Sequence, residues 1–134
     1  MSYGASTIVE LPFGEAVAAT RDALAEQGFG VLTEIDMAAT MKAQLDVDLP
    51  PQVILGACNP PLAYRALQAE PSIGLLLPCN VVVRAVDANH AVVETLDPKV
   101  MVTVTGNAAL AETAADAATR LAAVLETLGA RQAV

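Results

Sequence analysis

The spacing of apolar positions changes several times along the chain, and each change predicts an element. Residues 6–11 read as a short strand. Pro12 and Phe13 then open a helix in which Phe13, Val17, Thr20 and Leu24 fall on one face. Gly28 followed by Phe29 stops it, because glycine adopts the left-handed conformation and the next apolar side chain folds back onto the last turn. Over Gly30–Asp36, Val31, Thr33 and Ile35 alternate with Leu32, Glu34 and Asp36, which is strand spacing with one partly polar side. Asp36 can cap a second helix over Met37–Leu45, and Asp48-Leu49-Pro50-Pro51 ends that pattern.

Residues 53–57 are wholly apolar and suit a buried strand. Asn59 is a good helix cap and Pro60 a good first helical residue, so a third helix is predicted over Pro60–Ala69. Pro71 and Gly74 mark a loop. The run 75–86, interrupted at Pro78, resumes as the strongest strand through Val81, Val82, Val83 and Val86. Asp87-Ala88-Asn89-His90 turns it into a partner strand at 91–95, making an antiparallel hairpin. Leu110, Ala114, Ala117, Leu121, Val124, Leu125 and Leu128 share one helical stripe between an Asn107 cap and a Gly129 stop. Val100–Thr105 stays open, since its valines and threonines favour a strand while its place before a helix start allows a helical turn. The pattern as a whole predicts an α+β fold, a mainly antiparallel sheet flanked by helices, in a single domain over residues 1–134.

Composition narrows the function classes. The chain has 134 residues, 54% of them hydrophobic, enough for one core but not two. Its mean hydropathy of +0.50 is high for so short a chain and points to a subunit interface. No apolar run reaches the roughly 20 residues that span a bilayer. A net charge of −8 with seven unclustered Lys and Arg argues against nucleic acid as partner and against anionic lipid. Residues 1–10 show no secretory pattern, and the two cysteines would make one bridge at best, so a cytoplasmic, reducing location is expected.

The chemistry concentrates around the two cysteines. Cys58 is predicted at the end of a buried strand and just before a helix start, where unpaired N–H groups favour negative charge and a reactive thiol can be activated. The competing reading is a small apolar side chain buried in the core. Cys79, followed by Asn80 as Cys58 is by Asn59, could face Cys58 if their strands are neighbours. As a metal centre the signal is weak: the spacing is not Cys-x-x-Cys, and His90, the one imidazole, sits in a turn. Glu34, Asp36, Glu94 and Asp97 lie at strand ends, either as a converging acid–base group or as separate caps and surface charges. Arg65 is expected to pair with Glu70 or Glu26. No phosphate-cradling glycine loop or serine elbow is present.

The segments Gly28-Phe29-Gly30-Val31-Leu32-Thr33-Glu34-Ile35-Asp36, Gly56-Ala57-Cys58-Asn59-Pro60-Pro61-Leu62-Ala63 and Ile73-Gly74-Leu75-Leu76-Leu77-Pro78-Cys79-Asn80-Val81-Val82-Val83 resemble the bacterial domain-of-unknown-function family three-hundred-and-two. Asp97-Pro98 and the Asn107 helix extend the likeness over nearly the whole chain. The resemblance implies a compact α+β domain, commonly a dimer, with no established activity, and makes both Cys-Asn pairs site candidates. Gln52 and Val53 stand where relatives tend to carry an aromatic and a basic residue, and Gly4 and Ala5 where aromatics are frequent.

The reading that follows is a small homodimeric module binding a small molecule, a sulfur species or a soft metal near Cys58, Asn59, Cys79 and Asn80, with catalytic residues and cofactor unassigned. Its rivals are an enzyme or redox protein using Cys58, and a structural dimer whose cysteines are inert core residues.

Overall fold

The computed structural model describes residues 2–130. Five strands form one antiparallel sheet: β1 (Gly4–Val9), β2 (Gly30–Asp36), β3 (Gln52–Cys58), β4 (Cys79–Asp87) and β5 (His90–Leu96), in the spatial order β1-β5-β4-β3-β2. The β4–β5 hairpin is central. Its turn is held by Asp87 Oδ1, which accepts from the Asn89 N–H at 2.8 Å and meets His90 Nδ1 at 2.8 Å.

Alternation sends Val53, Leu55, Val81, Val83, Ala91, Val93 and Val9 to one face, where they are buried. Helix α1 (Phe13–Glu26) and helix α5 (Ala111–Gly129) cover that face. Small residues let α1 lie close to the sheet: its buried positions are Ala16, Ala19, Thr20, Ala23 and Leu24. Phe13 and Val17 are half-buried at its edge. Thr20 satisfies its hydroxyl by donating to the Ala16 carbonyl at 2.7 Å. Gly28 has φ +82°, and the Phe29 N–H returns to the Leu24 carbonyl at 2.9 Å, which is the expected glycine stop.

The opposite face stays largely open. Ile8 is 59% exposed, Leu32 67% and Ile35 46%, with Val82 and Val92 half-buried between them. Helix α2 (Met37–Leu45) contributes no buried residue, although Asp36 caps it as expected by accepting from the Ala39 N–H at 2.9 Å.

A second, smaller apolar cluster lies beyond the ends of β3 and β4. It gathers Ala66 of α3 (Pro60–Ala69), Ile73 of a 3-10 turn (Pro71–Leu76), Cys79, Met101 of α4 (Val100–Thr105) and Leu110. Val100–Thr105, which propensity left open, is a helix: Met101 packs into this cluster, and the segment serves as a short cover closed by Gly106 at φ +66°.

Three local expectations shift. Val31 pairs with Ala57 but Thr33 pairs with Gly56, so a bulge at Leu32 breaks the simple alternation of β2. Asn107 caps a 3-10 turn (Ala108–Leu110) before α5 rather than α5 itself. Gly129 is still helical, and Ala130 is the C-cap.

Candidate functional site

A cavity lies between the main core and the smaller cluster. Its floor is the end of β3 and the start of β4, its walls are α3 and α5, and Pro98 and Met101 close one side. The sequence leaves this space unfilled because alanines face each other across it: Ala57 from the sheet, Ala63 and Ala66 from α3, Ala114 and Ala117 from α5. The interior is about 40 Å³, room for roughly three water-sized groups at ~10–15 Å³ each. Counted out to its open mouth, the space reaches about 500 Å³.

Cys58, Asn59 and Cys79 all line this cavity, and none of its lining side chains is charged. The two residues are near each other because β3 and β4 are neighbours: Ala57 pairs with Cys79, and Cys58 is the next residue along, one step that turns its side chain toward the other face of the sheet. Cys79 is 7% exposed, whereas Cys58 is partly accessible. Burial pushes the Cys79 thiol pKa upward, and negative charge on Cys58 raises it further. The two cysteines are unbridged.

Asn59 organises the wall. Its Oδ1 accepts from the Leu62 N–H at 3.3 Å, starting α3, while its Nδ2 donates to the Gln27 carbonyl at 3.3 Å. Arg120 Nη1 donates to that same carbonyl at 3.2 Å. Three elements are thus tied at one point, where α1 ends and Phe29 enters the cavity lining. Asn80 belongs elsewhere: it pairs with Gly56 and is exposed, outside the cavity lining.

The remaining candidates separate. Glu34 meets Arg21 at 2.9 Å, Asp36 caps α2, Glu94 meets Arg84 at 3.0 Å, and Asp97 accepts from the Lys99 N–H at 3.0 Å. Four separate partners mean no acid–base cluster. Arg65 pairs with Asp116 at 3.2 Å, not with Glu70 or Glu26, because α3 lies beside α5. Asp116 also holds Arg120 at 2.9 Å, and these two guanidiniums, Arg120 first, lower its carboxyl pKa. His90 stays in its exposed turn with Asp87, whose pKa is lowered by the Asn89 N–H and then by His90. Among the described residues no three His, Cys, Asp or Glu side chains gather as a metal-binding group.

Sequence reasoning missed the apolar half of the site: Phe29, Leu62, Met101, Leu110 and the facing alanines. The alanine-rich C-terminal helix carried a signal, since a helix with small residues on its packing stripe leaves room beside them. A second depression, larger but open, lies at the far end of the sheet between Phe13, Pro50, Pro51 and the β4–β5 turn, and it holds no reactive group apart from the paired Asp87.

Residues 5–128 match the family model described as domain of unknown function DUF302. Among solved structures, the chain is similar to the crystal structure of an uncharacterized conserved DUF302 protein from Bacillus stearothermophilus. The two share 29% identity and a TM-score of 0.87, over 96% of this chain and 99% of the other. No curated protein matches the chain. Among the described residues no helix is long and apolar enough to cross a membrane.

Proposed function

We propose, from the premise that the chain belongs to the DUF302 family of domains of unknown function, that its cavity binds a small ligand against Cys58 and Cys79. The observation that carries this reading is the presence of both cysteines on one uncharged, largely apolar cavity. An interior of about 40 Å³ fits a few heavy atoms, so a small neutral sulfur species, a small apolar molecule or a soft metal ion suits it better than a nucleotide or a long acyl chain. Soft thiol donors favour soft metals over magnesium or calcium. Two thiols supply only part of a four-coordinate zinc shell.

A homodimer built on the open sheet face accompanies this reading, in a cytoplasmic protein folded as one domain. Ile8, Val82, Val92 and Ile35 form the apolar part of that face. Arg84 and Glu94 neutralise each other there, so two chains of charge −8 can approach without like charges meeting at that pair.

Xenon and silver(I) serve as the neutral and soft-metal probes. Xenon is expected to shift the amide resonances of Phe29, Leu62 and Met101, and silver(I) to raise the melting temperature. A ligand at 100 times its Kd adds about 2.7 kcal/mol of stability. Ala117→Val, whose added methyls enter the interior, should abolish the xenon response. If xenon leaves those amides unmoved and both thiols stay inert to silver(I) until unfolding, the cysteines are core residues and this reading falls.

A further inference from the structure

We propose that the cavity takes a short, uncharged alcohol or ketone, with the apolar body inside and the oxygen at the rim, hydrogen-bonded to Thr113. The inference rests on the reading that this cavity is the functional site, and it names the class of molecule that the site admits.

The lining is graded from interior to rim. Phe29, Leu62, Met101, Leu110, Ala114 and Ala117 line the cavity and are buried, each at most 8% exposed. Ala63, Pro78 and Thr113 line it too but are partly exposed, which places them at the rim. The helix repeat aims Thr113 at this space: Leu110, three residues before it, and Ala117, four residues after it, both line the cavity.

The Thr113 hydroxyl stands apart from the other helical threonines. Thr20, Thr40, Thr105 and Thr119 each donate to the carbonyl four residues back at 2.6–3.0 Å, and Thr103 does so at 3.5 Å. Among the described residues Thr113 and Thr127 make no such bond, and of these two only Thr113 lies on the cavity. The reason is local. Ala109, four residues before Thr113, belongs to the 3-10 turn that precedes α5, so its carbonyl lies outside the α-helical ladder. Asn59, the other hydrogen-bonding polar side chain of the wall besides the thiols, is already engaged by the Leu62 N–H and the Gln27 carbonyl. Thr113 therefore offers the cavity a hydroxyl without a protein partner, able to donate to a ketone oxygen and to donate to or accept from an alcohol.

Charge and size narrow the class. With no charged side chain in the lining, a carboxylate or an ammonium would enter without a counter-charge. Burial holds Cys79 as the neutral thiol, so the interior adds no charge of its own near neutral pH. An interior of about 40 Å³ accommodates about three water-sized groups, which suits a body of two or three carbons. A hydrocarbon of that size leaves the hydroxyl without a partner, whereas an alcohol or ketone sets one oxygen against it.

The test titrates the reduced full chain with 1-propanol, propionate and propylammonium, each in competition with xenon, and follows the amide resonances of Phe29, Met101 and Thr113. 1-Propanol is expected to displace xenon, and the two ions to leave it bound. Thr113→Val keeps the shape of the side chain and removes the hydroxyl. It should lower the affinity for 1-propanol relative to xenon by about 2- to 10-fold, as the loss of one hydrogen bond does. Thr113→Ser, which retains the hydroxyl, should keep the wild-type ratio. The inference is overturned if propionate or propylammonium displaces xenon as well as 1-propanol does, a result read from wild type even should a variant fail to fold. It is also overturned if Thr113→Val leaves the ratio unchanged. Xenon binding that 1-propanol does not displace removes the alcohol and ketone class and leaves the ligand pocket standing. If neither xenon nor 1-propanol binds wild type, the pocket reading falls and this inference with it.

Discussion

Gly56 has no side chain because two neighbours occupy the place where one would be. A β-carbon there would collide with Thr33 Oγ1 and come within 2.8 Å of Pro78 Cγ. Pro78 precedes Cys79, so this contact also sets the height of a site thiol. Gly56→Ala is expected to destabilise by about 1–3 kcal/mol through overpacking and to alter Cys79 alkylation, checked by urea unfolding and thiol labelling. Cys79 itself makes stability depend on pH. Its folded pKa is raised, so the folded state holds the proton where the unfolded state has released it. The stabilisation is complete below the unfolded thiol value of about 8.5 and is lost as pH rises from there through the folded value. Denaturant midpoints of wild type should therefore fall above that pH, and Cys79→Ala should flatten the decline. Both cysteines were legible in the sequence. Asn80 was grouped with them by its place after Cys79, yet one step along a strand reverses the face. Its role therefore depended on alternation rather than on motif.

At the scale of elements, α3 is fixed by one side chain. Asn59 caps the helix and also satisfies the Gln27 carbonyl at the end of α1. Replacing it with alanine removes a cap worth about 1 kcal/mol and a second hydrogen bond worth ~0.5–1.5 kcal/mol, so Asn59→Ala should lose ~1.5–2.5 kcal/mol. It should also increase hydrogen exchange in α3 before α5. The caps at Asp36 and Asn59 were legible because they are local: a side chain and a backbone N–H three residues on. The β2 bulge and the helical state of Val100–Thr105 were not, because both are decided by partners distant in sequence. The same applies to Arg65, whose partner Asp116 lies 51 positions away.

For the whole molecule, the strand and helix pattern implied an antiparallel α+β architecture, and the sheet has that form. Strand order was beyond local pattern, and with it the cavity, which exists only because β3 meets β4 while α3 meets α5. The open face supplies the test of assembly. If the proposed dimer forms through this face, wild type sediments as a dimer and Val82→Glu should shift it toward monomer while leaving xenon binding in the cavity unchanged; a monomeric wild type removes the dimer reading. An unaltered dimer would place the interface elsewhere.

The strand order also has a consequence in time. β1 is the first strand made, yet its sole neighbour is β5, with Ile8 opposite Val92. A ribosome adding ~5–20 residues per second takes roughly 5–20 seconds to pass from one to the other. During synthesis β1 therefore waits without a backbone partner, and the helix that packs on it, α5, is also made after β5. Whatever pairs earlier, the amino-terminal strand can join the sheet only after β5 has been made.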